Sequence, residues 1–181
     1  MRVVAGSAKG TRLAPVPAGT RPLSDRAREG LFSSLGPALA GARVLDLYAG
    51  TGAMGIEALS RGATSAVFVD SAPAAVKTIA ENLRRTRLSG KGEVRRQDAV
   101  RALRQKLGQF DLVLADPPYR LASRDVDALV TELASSGAVA PQGRVVLTRR
   151  RASYMPVIPV DWHLAKQLNY GDALVLVFQA P

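Results

Sequence analysis

The stretch DLYAGTGAMGIE, residues 46–57, combines the end of an apolar strand, a glycine-rich loop and the start of a helix. The run RVLDLY at 43–48 predicts the buried strand that leads into it. Gly50, Gly52 and Gly55 match the pattern G-x-G-x-x-G, which brings the backbone close to a ligand at a helix N-terminus. The pattern alone is weak evidence, but its place between a strand and a helix indicates one unit of an α/β fold.

The rest of the chain repeats this alternation of strand and helix. Strands are predicted at 43–48, 65–70, 92–97, 110–116 and 144–149, and helices at 53–61, 73–88, 99–107 and 124–136. The pattern predicts a doubly wound parallel sheet with helices on both faces. The last two apolar runs, at 162–170 and 173–179, have only Gly171-Asp172 between them and predict an antiparallel hairpin. We therefore expect a mixed sheet of about seven strands.

The N-terminal residues differ in composition from the rest of the chain. Residues 1–22 are rich in Gly, Pro and Arg, have little periodicity and predict a short hairpin or arm. After them, Ser24 is a candidate N-cap for a helix that Gly36-Pro37 ends. We therefore expect a basic arm at 1–22 and a core domain at 23–181.

Composition limits the kind of protein this is. Basic residues exceed acidic ones by 25 to 15, and the net charge of +10 predicts a polyanionic partner such as nucleic acid. The chain has no cysteine and one histidine, so we expect neither disulfides nor a metal site. No apolar run approaches the roughly 18 residues of a membrane span, and the N-terminus lacks the apolar core of a signal peptide. We expect a cytoplasmic protein.

Aspartates stand at or near the ends of four predicted strands: Asp46, Asp70, Asp98 and Asp116. One such aspartate is commonly the N-cap of the following helix, but four of them predict an acidic pocket at the carboxyl edge of the sheet. A carboxylate under the glycine loop would repel the pyrophosphate of a dinucleotide. S-adenosylmethionine carries an ammonium and a sulfonium and no phosphate, so we favour it as the cofactor over a nicotinamide.

This interpretation gives the loop residues separate roles. Gly50 and Gly52 let the backbone approach the cofactor, and Asp70 binds both ribose hydroxyls. Asp98 accepts a hydrogen bond from the adenine amino group, and the Ala99 N–H donates to a ring nitrogen. The remaining candidate cofactor contacts are Tyr48, Ala49, Thr51 and Ser71.

The stretch LVLADPPYR, 112–120, suggests the reaction itself. Each residue before a proline is held extended and neither proline has an N–H, so the motif offers two acceptors, the Asp116 carboxylate and the Pro117 carbonyl. Two acceptors suit an exocyclic amine of a base, whose lone pair they would aim at a methyl group. Pro118 keeps the carbonyl in place, and Tyr119 stacks on the base. The structural alternative is a rigid turn with a packed tyrosine.

Longer stretches resemble a known family. DLYAGTGAMGIEALSRGA and DPPY are similar to class I S-adenosylmethionine-dependent methyltransferases acting on amino groups of bases. RVVAGSAKGTRLAPVP, GTRPLSDRAREGLFSSL and NYGDALVLVFQ resemble, more narrowly, the bacterial 16S rRNA guanine-N2 methyltransferases that modify guanine 966. The resemblance implies a Rossmann-like sheet of seven strands, a methyltransferase domain over 23–181 and an N-terminal hairpin that touches RNA. It also implies that Thr20 and Arg21 lie near the methionine end of the cofactor or the substrate.

The resemblance further implies transfer of a methyl group to guanine N2 at position 966 of 16S rRNA, in the assembled or assembling 30S subunit. Candidate RNA contacts are Arg2, Lys9, Arg12, Arg21 and Arg26, which with Arg28 outnumber Asp25 and Glu29 in this region. We expect a monomer. Two other functions stay open: a DNA adenine-N6 or cytosine-N4 methyltransferase, since the acceptors suit any exocyclic amine, and a non-catalytic RNA-binding assembly factor.

Overall fold

A computed structural model of the chain describes residues 1–15 and 22–181. Within them the strands are Arg43–Leu47 (β1), Ser65–Asp70 (β2), Gly92–Arg96 (β3), Phe110–Ala115 (β4), Val139–Arg150 (β5), His163–Tyr170 (β6) and Ala173–Gln179 (β7). The α-helices are Asp25–Leu35 (α1), Ala53–Ser60 (α2), Pro73–Arg85 (α3), Ala99–Leu103 (α4) and Ser123–Ser135 (α5). In this described part of the chain, no helix is both long enough and apolar enough to cross a membrane.

The strands form one mixed sheet in the order β3-β2-β1-β4-β5-β7-β6. The pairs from β3 across to β5 are parallel, whereas β7 runs antiparallel to both β5 and β6. The strand order therefore reverses between β1 and β4, and such a reversal is where open α/β sheets bind ligands. This topology confirms the predicted α/β fold with a seven-stranded mixed sheet.

The inner strands are buried on both faces, which explains their nearly continuous apolar sequences. On β1, Val44 belongs to the core beneath α1, α2 and α3, whereas Leu45 and Leu47 belong to the core beneath α4 and α5. All three side chains are fully buried. Burial of one such side chain contributes roughly 1.5–3 kcal/mol. The two cores hold the carboxyl ends of the strands in a fixed arrangement.

Two element boundaries differ from the predicted ones by four residues or more. Helix α4 ends at Leu103, about one turn early, because the N–H of Gln105 bonds the carbonyl of Ala102 at 3.0 Å and tightens the last turn. Strand β5 begins at Val139, five residues before its predicted start at 144. The chain stays extended through an irregularity at which Gln142 has a φ of 58°.

The N-terminal segment is a hairpin packed against the core. The N–H of Val3 donates to the carbonyl of Thr11 at 3.0 Å across the hairpin. The side chains of Val3 and Leu13 are buried in the core beneath α1, α2 and α3. Residues 1–15 of the predicted arm therefore have a fixed place against the domain, and 16–21 lie outside the described residues.

A buried polar cluster attaches this hairpin to two helices. Glu57 on α2 is fully buried and accepts hydrogen bonds from the N–H groups of Val4 at 2.8 Å and Ala5 at 3.0 Å. Arg61 Nε donates to the same carboxylate at 2.7 Å, and Arg28 Nη1 lies 3.9 Å from it. Because Arg28 belongs to α1, one carboxylate joins the hairpin, α1 and α2.

Candidate active site

A cavity of about 590 Å³ opens where the strand order reverses, at the carboxyl ends of β1, β2 and β4. Its volume is typical of small-molecule sites. The predicted site residues that line it are Asp46, Tyr48, Ala49, Gly50, Thr51, Asp70, Ser71, Asp116, Pro117, Pro118 and Tyr119. The fold thus brings most of the predicted cofactor residues together with the four residues of the proline motif.

The loop after β1 bends sharply beneath this cavity. Tyr48, Gly50 and Gly52 have positive φ angles of 56°, 58° and 74°, a conformation that favours glycine. The third glycine of the motif has a different role. A Cβ on Gly55 would lie 2.4 Å from the Phe68 ring on β2 and 2.9 Å from the Asp46 carboxylate on β1, so glycine at this position lets α2 begin this close to both strands.

Asp46 is a buried carboxylate on the cavity floor. Its Oδ2 accepts a hydrogen bond from the N–H of Gly55 at 2.8 Å. Burial, followed by the charges of Asp116 and Asp70, raises the pKa of Asp46 well above its usual range, and the Gly55 bond only partly opposes this. Three carboxylates that repel one another make the cavity suitable for a positively charged ligand.

Asp70 ends β2 with both of its carboxylate oxygens held by backbone groups. Oδ2 accepts from the N–H of Gly50 at 2.9 Å, and Oδ1 accepts from the N–H of Ala72 at 2.9 Å. Since Gly50 belongs to the loop after β1, these bonds tie two loops together. The carboxylate is therefore oriented before any ligand arrives, as binding a pair of hydroxyl groups requires.

Asp116 lies beside the end of β1, because Ala115 pairs with Leu47 in the sheet. The hydroxyl of Thr148 donates to Asp116 Oδ1, whereas Oδ2 makes no hydrogen bond with another described residue. Burial raises the pKa of Asp116 to about 6, against the lowering effect of the Thr148 bond. This carboxylate therefore changes charge near neutral pH.

The carbonyl groups of Pro117 and Pro118 differ in their hydrogen bonding. The Pro118 carbonyl accepts from the N–H of Leu121 at 2.8 Å and closes a turn. The Pro117 carbonyl accepts no hydrogen bond from any described residue. Both Pro117 and Asp116 line the cavity. Half-buried Tyr119 continues the wall.

Three predicted cofactor residues stand outside the cavity walls. Gly52 is the N-cap residue of α2. Asp98 is the N-cap of α4, where its Oδ1 accepts from the N–H of Arg101 at 2.9 Å, and Ala99 is the buried first residue of that helix. Asp98 is nevertheless close to the loop after β1: burial and then its charge raise the pKa of Tyr48 to about 12.

The basic residues near the N-terminus separate into exposed and buried ones. The predicted RNA contacts Arg2, Lys9, Arg12 and Arg26 are exposed. Arg28, which adds to the positive charge of this region, is fully buried and does not belong to the exposed basic surface. Thr20 and Arg21 lie outside the described residues.

Sequence reasoning missed three polar residues of the site, of which Arg120 lines the cavity directly after the proline motif. Thr148 reaches Asp116 from β5, and the one available signal is that it is the first polar residue after the apolar run VVL. Arg28 lies in the cavity wall, and its Nε and Nη1 make no hydrogen bond within the described residues. Among residues 1–15 and 22–181, no three His, Asp or Glu side chains are arranged to hold a metal ion.

Known proteins resemble this chain over nearly its full length. The family described as conserved hypothetical protein 95 matches residues 1–179. The chain is 35% identical to YlbH from Bacillus subtilis over 184 residues, which cover 99% of the chain and 98% of YlbH. It is 32% identical over 181 residues to ribosomal RNA small subunit methyltransferase D from Escherichia coli. The match covers 99% of this chain and 89% of that protein.

The architecture is shared as well. The solved structure of yhhF from Escherichia coli has a TM-score of 0.87 and 32% identity, with 99% of this chain and 97% of yhhF covered. Both the sequence and the fold therefore match over the hairpin as well as the sheet. The chain belongs to the conserved hypothetical protein 95 family, a family of class I rRNA methyltransferases.

Proposed function

We propose that the protein transfers a methyl group from S-adenosylmethionine to the exocyclic N2 of guanine 966 in 16S rRNA, in the assembled or assembling 30S subunit. The observation that carries the proposal is the acceptor pair beside the acidic cavity, Asp116 Oδ2 and the Pro117 carbonyl. The name of the Escherichia coli relative, a small-subunit rRNA methyltransferase, supports the RNA substrate.

The charged and hydrogen-bonding groups of the cavity fit S-adenosylmethionine. Asp46 suits positive charge near the floor, and the oriented carboxylate of Asp70 suits the two ribose hydroxyls. Arg28 in the wall balances the charge of the methionine carboxylate. Asp98 and Ala99 stay our predicted contacts for the adenine, at the edge next to Tyr48.

The reaction needs an oriented amine rather than a strong base. When bound, S-adenosylmethionine supplies an electrophilic methyl group. Asp116 and the Pro117 carbonyl each accept one N–H of the amine, which turns the nitrogen lone pair away from the ring. The ionised carboxylate stabilises the positive charge that develops on nitrogen as the new N–C bond forms and the bond between sulfur and the methyl group breaks, and it would accept the proton that the methylated amine then releases. Attack requires the reacting atoms about 3–3.5 Å apart, so rigid positioning by the two prolines favours the reaction.

The basic surface fits an RNA partner. Arg2, Lys9, Arg12 and Arg26 are exposed around the hairpin and the start of α1, and would contact phosphates without reading sequence. A guanine N2 in a duplex faces the minor groove and is hydrogen-bonded, so the target must be unpaired or pulled out of its helix.

Mapping the methylated nucleotide tests the proposal. The substrates are naked 16S rRNA and 30S particles, both from cells lacking this gene, together with duplex DNA. We expect N2-methylguanine at position 966. Methyl transfer to adenine N6 or cytosine N4 of the DNA alone would contradict the proposal in favour of a DNA enzyme. Cofactor binding without transfer to any substrate would favour an assembly factor.

The pKa of Asp116 predicts a pH dependence. Because the reaction uses the ionised carboxylate, kcat/KM should rise with pH and level off above an inflection near pH 6. The Thr148 hydroxyl lowers the pKa of Asp116, so Thr148→Val should move the inflection to higher pH. The rates are measured with both substrates well below their KM, so that they report the free protein.

Thr131→Val is the matched control for that experiment. Thr131 is exposed on α5, and its hydroxyl donates to the carbonyl of Asp127 at 2.8 Å. This variant should keep the wild-type profile. An inflection at the same pH in wild type and Thr148→Val would show that Asp116 is not the titrating group.

A further inference from the structure

A second cavity, of about 490 Å³, adjoins the one assigned to the cofactor. The two cavities share Pro22, Leu23 and Tyr119 in their walls. The rest of the second cavity is formed by the first residues of α1 and by the turn between β6 and β7. A methyl acceptor must reach the proline motif from outside the cofactor cavity, and this second cavity adjoins the motif at Tyr119.

The β6–β7 turn lies at the same edge of the sheet as the acceptor pair. Ala173, the first residue of β7, pairs with Arg150, the last residue of β5. Gly171 has a φ of 62°, which lets the chain reverse within two residues. The stretch NYGD at 169–172 thus lies at the active-site edge, although the reaction derived above gives it no role.

Tyr170 from this stretch packs over α1 at a glycine. A Cβ on Gly30 would lie 1.9 Å from the hydroxyl oxygen of Tyr170 and 2.8 Å from the carbon that bears it. Gly30 is inside α1, where glycine is a poor helix former. Gly30 therefore weakens the helix slightly but leaves room for the side chain of Tyr170. Tyr170 in turn lines the second cavity.

We propose that the second cavity receives the target base, turned out of its stack, with Tyr119 and Tyr170 as its aromatic walls. The inference rests on the function proposed above. Removing a base from its stack is costly, and stacking against aromatic rings offsets part of that cost. Arg26, exposed and in the same wall, is placed for the phosphate beside the base. Tyr170 is then a substrate-binding residue.

Four variants test this inference by methylation of 30S particles that lack the modification. Tyr170→Leu removes the ring but keeps an apolar side chain, and Tyr170→Phe keeps the ring. Gly30→Ala keeps the tyrosine but displaces its side chain, because the new methyl group would occupy its place. Alanine also favours the helical conformation, so α1 should remain folded. Tyr154→Leu is the control, because Tyr154 is 56% exposed and lies outside both cavities.

At saturating cofactor we expect kcat/KM to fall by about tenfold to a hundredfold in Tyr170→Leu, the effect of losing one base stack. Gly30→Ala should show a loss in the same direction. Tyr170→Phe, which restores the ring, should recover most of the activity that Tyr170→Leu loses, and Tyr154→Leu should stay within about threefold of wild type. Calorimetry should give the same Kd for S-adenosylmethionine in all variants, since Tyr170 does not line the cofactor cavity.

The outcomes separate the two proposals. An active wild type and an equally active Tyr170→Leu would overturn the base pocket and leave the proposed function standing. Weakened cofactor binding in Tyr170→Leu would also overturn the base pocket, because the Tyr170 ring would then contribute to the cofactor cavity rather than to base binding. A wild type that binds S-adenosylmethionine but transfers nothing to 30S particles or naked 16S rRNA would overturn the function itself.

Discussion

Asp116→Ala should lower kcat for methyl transfer by about 10²–10³-fold, the usual effect of removing one preorganised group that stabilises developing charge. The variant removes both the acceptor for one N–H and the negative charge opposite the amine. The Pro117 carbonyl remains, so the amine keeps one acceptor but loses its orientation. Single-turnover transfer of labelled methyl groups to 30S particles measures the effect directly.

Two further variants separate geometry from charge at this position. Asp116→Asn keeps an oxygen acceptor but does not titrate, so it should retain more activity than Asp116→Ala and lose the inflection near pH 6. Asp161→Ala, at an exposed carboxylate outside both cavities, should leave the rate unchanged. Wild-type kcat in Asp116→Ala would contradict the mechanism proposed here.

Glu57→Ala should lower the free energy of unfolding by about 3–5 kcal/mol, because removing one member of a buried ion pair leaves an uncompensated charge. Arg61 loses the carboxylate that lies 2.7 Å from its Nε, and Arg28, whose side chain is 1% exposed, keeps Asp25 at 2.6 Å as its remaining charge partner in the described part of the chain. The variant also leaves the N–H groups of Val4 and Ala5 without their acceptor, so the hairpin loses its attachment to α2. Urea denaturation followed by circular dichroism measures the change.

The matched variants for this prediction use the same residue type. Glu57→Gln keeps the size of the side chain and an acceptor oxygen, so its effect should lie between those of wild type and Glu57→Ala. Glu93 forms an exposed pair with Arg95 at 2.6 Å, and Glu93→Ala should change stability little. Equal stability of Glu57→Ala and Glu93→Ala would show that the buried cluster contributes nothing.

The fold could be predicted because the relevant signals are local. The runs at β1, β2 and β4 are apolar on both faces of the sheet and are separated by helical periodicity, which a parallel α/β sheet requires. The β6–β7 hairpin could be predicted because two strand-like stretches, of which only β7 is buried, are joined by Gly171-Asp172. The boundary of β5 was predicted less well, because the irregularity at Gln142 resembles a loop in sequence.

The candidate site could be predicted only in part. Asp46, Asp70 and Asp116 were identifiable because each follows an apolar run, and parallel strands put such positions at one edge. Thr148 was not identifiable, since its role depends on β5 lying next to β4, and nothing near it in sequence indicates this. Asp98, like Asp70, stands at the end of a predicted strand, yet in the structure it caps α4 outside the cavity walls.

The sequence by itself determined the α/β sheet, the glycine loop and the acceptor-only proline motif, because apolar periodicity, glycine and proline act on the chain within a few residues of themselves. The tertiary structure decided which charges are buried and which are exposed. It placed Arg28 against Glu57 and brought Thr148 to Asp116 and Tyr170 to Gly30, pairs that lie far apart in the chain. Such pairings follow from strand order and helix packing, and those depend on the whole core.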